Sequence, residues 1–309
     1  MPPTLQERFT GCLLGLAVGD ALGARFEGKS PEGIAQDFCQ PNELINRPPY
    51  GQMWYTDDTQ MMISVCETLV SQGAIDDETL CQRFAQNYEP HRGYGRSTQL
   101  IVEAMRAGHD YRQLAASLLP GGSFGNGAAM RVAPVGIAFR RNLMQVAAQA
   151  RLSALPTHRH PLGIAGAQLL AAAVAVAAQA SSIQADEFVD RLLPYAMHVE
   201  FAGPLGRVKA LRNRRDLALF GNGVAAVDSV VTAIASFVLT PDDYGATISN
   251  VIVLGGDTDT LAAMAGAISG AYLGVKAIPP ALLEKLEDGP KGRRFLEALA
   301  QQLGDRFAA

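Results

Sequence analysis

Apolar residues recur along this chain at three- and four-residue intervals, and that spacing predicts helices over most of its length. Thr4-Leu5-Gln6-Glu7 is a capping-box pattern, and Phe9, Cys12, Leu13, Leu16 and Ala17 follow it at helical spacing as far as Gly19–Gly23. Further helices are expected over 60–71, 77–86, 97–107, 111–118, 128–140, 143–155, 162–180, 183–200, 224–239, 242–253, 261–274, 280–286 and 293–303. Residues 24–50, rich in Pro and Gly and without periodicity, read as one long loop, a kind that is often functional. No stretch alternates apolar and polar residues with β-branched enrichment, so no strand is expected. Neither a repeat nor a dividing linker is visible. The expectation is a single all-α domain over 1–309, a compact multi-helix orthogonal bundle with glycine-rich loops between its helices.

Composition narrows the function classes. Hydrophobic residues make up 48% of the 309, enough for a sizeable core, and charged residues, at 18%, are too few for a disordered chain. A net charge of −4 with no run of Lys or Arg argues against nucleic acid and acidic membranes as partners. Cys12, Cys39, Cys66 and Cys81 form no CxxC pair and read as small core residues of a reducing compartment. The apolar segment 162–180 is mostly Ala, a good helix former but a weak driver of membrane insertion, so a buried helix is expected. With no leader-like N-terminal pattern, a cytoplasmic location is expected.

Two stretches carry chemistry. Leu254-Gly255-Gly256-Asp257-Thr258-Asp259-Thr260 gathers two carboxylates and two hydroxyls ahead of a helical run, where backbone amides are unpaired. Tyr55-Thr56-Asp57-Asp58-Thr59-Gln60 does the same ahead of Met61, Met62, Val65 and Leu69. A helix start needs one short polar cap, not four carboxylates in two places. Hard divalent cations do need several such oxygens, so the two stretches read as halves of one metal site at helix N-termini.

These stretches, with Gly15-Leu16-Ala17-Val18-Gly19-Asp20-Ala21-Leu22-Gly23 and Ser123-Phe124-Gly125-Asn126-Gly127-Ala128-Ala129-Met130-Arg131, together resemble the ADP-ribosylglycohydrolase family from about residue 8 to 275. The resemblance implies an all-helical fold with a two-magnesium centre, Mn²⁺ being a substitute ion. Its substrate would be an ADP-ribosylated protein or a small-molecule conjugate, cleaved at the glycosidic bond by a monomer. Arg92-Gly93-Tyr94-Gly95, the Ser123–Gly127 loop and Thr157-His158 are most similar to the ADP-ribosylhydrolase 3 branch, which acts on serine-linked, polymeric and O-acetyl ADP-ribose. The Gly19–Ala24 stretch resembles the dinitrogenase-reductase-activating glycohydrolase, which acts on arginine.

By resemblance, Thr56, Asp57, Asp58, Asp257, Asp259 and Thr260 would hold the metal ions, and Glu27, Asp57 and Asp58 would be catalytic. Thr59 and Thr258 fall to capping and packing. Glu27 lies on the long loop, where motion is cheap, and would serve proton transfer or charge stabilisation. Ser123, Phe124, Gly125, Asn126 and Gly127 would bind the ligand, their amides cradling the diphosphate and Phe124 stacking on adenine or merely filling core. His158 would hydrogen-bond the diphosphate or ribose, while Tyr94 and Gly95 would shape the acceptor side. His91 is undecided, and His109, His160 and His198 match nothing. An arginine-specific hydrolase, a silent crystallin-like or ADP-ribose-binding relative, and an unrelated Mg²⁺ phosphohydrolase are the alternatives. The presence of Glu27 and all six metal-site residues favours an active enzyme.

Overall fold

The computed structural model describes residues 2–38, 42–47 and 51–308; Cys39 and the end of the expected long loop lie outside them. Among the described residues there is no strand, only two isolated bridges, Met53 with Leu286 and Gly125 with Ala225. The protein is all-α, as its periodicity requires.

Two helices form its axis. Leu5–Gly23 begins with the expected capping box: Glu7 N donates to Thr4 Oγ1 at 3.2 Å, and Thr4 N donates to Glu7 Oε2 at 2.8 Å. The helix is apolar nearly all round and, apart from Thr10, buried from Arg8 to Gly23, the pattern of a helix enclosed by others. Its main partner is Thr258–Leu273, likewise buried along almost its whole length. The two run antiparallel and touch backbone to backbone, because Gly11, Gly15, Gly19 and Gly23 form one stripe. A Cβ at Gly19 would collide with the carbonyl oxygen of Ala262, and one at Gly270 with that of Gly11. Only hydrogen side chains permit that approach. As a result, the C-terminus of the first helix and the N-terminus of Thr258–Leu273 share one end of the molecule.

Pro161–Ala177 is the Ala-rich segment, and it is buried among Leu143–Ala154, Ala133–Ala138 and Ala226–Leu239. No helix among the described residues is long and apolar enough to cross a membrane. The described cysteines Cys12, Cys66 and Cys81 are free thiols in buried positions.

Three expectations need correction. The stretch 24–50 is not one loop, since it contains the helices Pro31–Asp37 and Asn42–Asn46. The first is started by Ser30, whose hydroxyl accepts from Gly33 N at 3.2 Å, and by Pro31, whose fixed φ suits a first turn. The expected helix 183–200 is Ala185–Leu192 followed by a 3₁₀ turn, Leu193–Tyr195, and then a separate helix, Val199–Val208. Pro194, within the 3₁₀ turn, lacks the amide that a continuous ladder uses. The expected helix 128–140 is a 3₁₀ turn, Asn126–Ala128, and a six-residue helix, Ala133–Ala138.

Candidate active site

Helix Asp57–Gln72 starts at the same end of the molecule, and Asp20 ties it there. Asp20 is fully buried and accepts four hydrogen bonds: Thr56 N at 3.0 Å, Thr56 Oγ1 at 2.8 Å, Thr59 N at 3.0 Å and Thr59 Oγ1 at 2.5 Å. The side chain therefore satisfies first-turn donors that the helix itself leaves open. Burial raises the Asp20 pKa, while those four donors pull it down. Asp20 lies in the Gly15–Gly23 motif, but the motif does not reveal this role. Its isolation from other polar residues in a glycine-striped helix was the available signal.

The same loop is stitched from its other side. Arg92 and Glu287 form a buried ion pair, with Nη1–Oε1 2.5 Å and Nη2–Oε2 3.0 Å, and the guanidinium lies 4.0 Å from the Tyr55 ring centre. Glu287 Oε1 also accepts from Tyr55 N at 3.0 Å, and Arg92 O accepts from Asp57 N at 2.7 Å. Arg92 is thus committed to positioning 55–57. Glu287, more than 200 positions downstream, gave no sign of this in the sequence.

The second acidic stretch arrives through the glycine turn. Gly255 and Gly256 have φ of 69° and 76°, and a Cβ on either would strike the backbone of Lys29 or Asn222. Asn222 holds the turn, donating to Leu254 O at 2.9 Å and Gly255 O at 3.1 Å and accepting from Asp257 N at 2.9 Å. Gly28 N donates to Gly256 O at 2.9 Å and Gly256 N to Lys29 O at 3.0 Å. Glu27 therefore sits on a turn that is pinned to the 254–257 segment and anchored by buried Phe26, not on a free loop. Its carboxylate lies with those of Asp257 and Asp259 in a group whose ligand atoms are all within 4.8 Å of one another, a spacing that suits a metal ion.

These elements bound a cleft of about 420 Å³, within the usual range of small-molecule sites, roughly 300–1,000 Å³. Glu27, Asp57, Asp58, Asp257, Asp259 and Thr260 line one side. Thr260 Oγ1 lies 3.4 Å from Asp58 Oδ1, so the two acidic stretches meet. Burial, reinforced by neighbouring carboxylates, raises the pKa of Asp57, Asp58, Asp259 and Glu27. Asp58 Oδ2 and Asp259 Oδ1 are buried with no hydrogen-bond partner. Crowded carboxylates with spare buried oxygens are what a hard cation would satisfy.

The other side is formed by Ser123–Gly127, His158 and Val224. The loop 123–127 is clipped to 224–226 by Asn126 N to Val224 O at 2.9 Å and Ala226 N to Phe124 O at 3.0 Å. Two of its amides are therefore engaged inside the protein, since Gly125 N donates to Ser123 Oγ at 3.2 Å. It leads into a single 3₁₀ turn and not into a long helix, which weakens the expected helix-terminus cradle. Asn126 is buried, and its amide donates to Asp257 Oδ2 at 2.5 Å and Ser229 Oγ at 3.2 Å, linking the loop to the acidic wall. Phe124 is 55% exposed, which rules out a core role, and its ring meets His160 edge-on at 5.7 Å. His160 also accepts from Leu162 N and so caps Pro161–Ala177.

Two expected site residues stand outside the cleft lining. Tyr94 is half-buried behind the wall: its hydroxyl donates to Gln60 Oε1 at 2.8 Å and its ring packs on Tyr88. Gly93 and Gly95 line the cleft in its place. Thr56 also lies behind the wall, its hydroxyl turned to Asp20 as the cap of Asp57–Gln72. Thr59 and Thr258 pack as expected, the latter donating to Gly23 O at 2.8 Å. His91 is exposed beside Glu89. Arg96 and Val224 line the cleft without having been singled out. A larger cavity of about 700 Å³, around Cys81, Tyr111 and His109, contains none of these groups.

A family model of the ADP-ribosylglycohydrolases matches residues 1–309. The chain belongs to the ADP-ribosylglycohydrolase family. It is similar to the ADP-ribosylhydrolase ARH3 of Danio rerio, with 34% identity over 318 residues, 90% of this chain and 86% of that protein. The Homo sapiens ADP-ribosylhydrolase ARH3 is 32% identical over 341 residues, covering 96% and 92%. A solved structure titled "ADP-ribosylglycohydrolase-related protein complex" superposes with a TM-score of 0.70 at 28% identity, covering 98% of both chains. The resemblance read from the motifs is borne out. The protein is accordingly a glycohydrolase whose substrates carry ADP-ribose.

Proposed function

We propose that the protein is a Mg²⁺-dependent hydrolase that releases ADP-ribose from an oxygen-linked acceptor: serine, the ADP-ribose polymer or an acetyl group. The observation that carries this reading is the meeting of Asp57 and Asp58 with Asp257, Asp259 and Glu27 on one wall of a cleft whose other wall is a glycine-rich loop with His158. Asp57, Asp58, Asp257, Asp259 and Thr260, with Thr56 behind them, would hold two Mg²⁺ ions or Mn²⁺ in their place. When bound, such ions supply charge that offsets the carboxylates, orient ribose hydroxyls and lower the pKa of a water. Asp57 and Asp58 fix that charge beside the scissile bond. Glu27 moves a proton at the acceptor oxygen or stabilises the oxocarbenium-like centre. Phe124 and Val224 offer apolar rims for adenine. Arg96 is a cation among the lining residues, and a like-charged guanidinium acceptor is disfavoured beside it. Every group named belongs to one chain, so the reading requires neither a second copy nor a second domain.

The test is hydrolysis of matched serine-, arginine- and polymer-linked substrates with and without Mg²⁺, with the product identified. Metal-dependent release of free ADP-ribose, faster from serine than from arginine, is expected. Release of AMP or phosphate would point to a phosphohydrolase, and faster arginine cleavage to the arginine-specific activity. In the same assay Glu27→Gln should lower kcat by roughly 10²–10⁴ with ADP-ribose affinity nearly intact. Near-wild-type turnover would remove Glu27 from the chemistry.

A further inference from the structure

Arg131 is fully buried and forms no ion pair among the described residues, and its Nε has no hydrogen-bond partner. A lone guanidinium in a core is expensive unless its donors are used. Nη1 donates to Gly127 O at 3.2 Å and Nη2 to Ser153 O at 2.8 Å and Thr157 Oγ1 at 2.9 Å, while the group lies 4.8 Å from the Phe84 ring centre. It therefore ties the 123–127 loop to the segment that carries His158.

Thr157 passes this arrangement on. Its Oγ1 accepts from Arg131 and lies 2.8 Å from His158 Nδ1. Among the described residues, Nδ1 is the acceptor within reach of the Thr157 hydroxyl hydrogen. Were Nδ1 itself protonated, that buried hydrogen would be left unpaired, at a cost comparable to a lost hydrogen bond. With Nδ1 as the acceptor, the hydroxyl hydrogen is paired and Nε2 carries the ring hydrogen. Nε2 faces Gly125 and Gly127, where an added Cβ would come within 3.6 and 3.0 Å of it. The glycines leave it open to the cleft.

We propose that Arg131 and Thr157 are positioning residues that present His158 to the cleft as the neutral Nε2–H tautomer, a fixed donor to an anionic oxygen of the ADP-ribose diphosphate. The identity of the ligand rests on the functional reading above; the tautomer does not. Burial and the nearby Arg131 charge hold the imidazole pKa down at about 3, so the ring stays neutral at physiological pH. A neutral donor of one fixed direction then follows from Thr157 and not from solvent pH.

The test is ¹⁵N NMR of histidine-labelled full-length protein without ligand, with His158 assigned by His158→Gln. The expected spectrum shows Nε2 protonated and Nδ1 unprotonated from pH 6 to 8. Thr157→Val should admit the Nδ1–H form and weaken ADP-ribose binding about three- to tenfold. Thr157→Ser should retain both properties. Arg131→Lys, which keeps the charge but not the two-armed fork, should fall between them. An Nδ1–H wild type, or a folded Thr157→Val protein with unchanged tautomer and affinity, would overturn the proposal. A wild-type Nε2–H signal unmoved by saturating ADP-ribose would instead overturn the placement of the diphosphate, with the tautomer already decided in the ligand-free protein.

Discussion

Helices Asp57–Gln72 and Thr258–Leu273 both begin in acidic residues beside the cleft, yet their starts are built differently. At the first, Thr56 caps and Asp20 takes the amides of Thr56 and Thr59. At the second, Asp257 occupies the cap position but makes no capping bond. Its carboxylate accepts from Asn126, and its own amide is held by Asn222. In one case capping is delegated to other residues; in the other it is forgone. An aspartate at a helix start is ordinarily explained by the orphan amides there. Here Asp57, Asp58, Asp257 and Asp259 are left over after the helices are accounted for, and their crowding raises the energy of the metal-free protein. That surplus is the physical argument for a functional centre, and it is stronger than the count of carboxylates.

The largest expected effect tests whether the two starts form one site. Asp57→Ala and Asp259→Ala should each lower turnover roughly 10³-fold, since several kcal/mol of charge stabilisation are at stake at about 1.4 kcal/mol per tenfold. Calorimetric titration should show Mg²⁺ binding weakened in both variants. Unchanged affinity in either one would separate the halves.

A smaller effect probes what brings them together. Gly19→Ala places a methyl group against the Ala262 carbonyl, and overpacking of this kind costs about 1–3 kcal/mol. The urea midpoint should fall with the m-value unchanged. An unaltered midpoint would mean that the two axial helices can separate without cost. The finest probe is Asp20→Asn, which keeps the shape but points an amide at donors that need an acceptor. Metal affinity should fall 10–100-fold, the usual range for a residue that orients a ligand. Since Asp20 touches the first start and not the second, a loss no larger than that of an exposed surface variant would show that Thr56 alone sets the geometry there.

Much of this was legible in the residues. Periodicity and the Thr4–Glu7 box marked the helices, and the paired acidic stretches marked the centre. What misled were local breaks. Pro194 divided an expected helix, and Ser30-Pro31 started one inside an expected loop. The hydroxyl of Tyr94, a residue expected to shape the acceptor side, donates to Gln60 in the structure, a partner that its motif does not reveal.

Helical periodicity, caps and motif chemistry are local properties, readable within a few residues of one another, and they were enough for the all-α class, the family and the acidic ligand types. The roles of Asp20, Asn222, Glu287 and the Arg131–Thr157–His158 chain depend on partners far away in sequence for the first three and, for the last, on which hydroxyl hydrogen has an acceptor. Such facts arise only when the glycine-striped helices close on each other and bring the 20–28, 55–58 and 254–260 segments to one end. Burial then turns ordinary polar residues into obligatory hydrogen-bond partners, because a buried donor or acceptor left unpaired is too costly to keep.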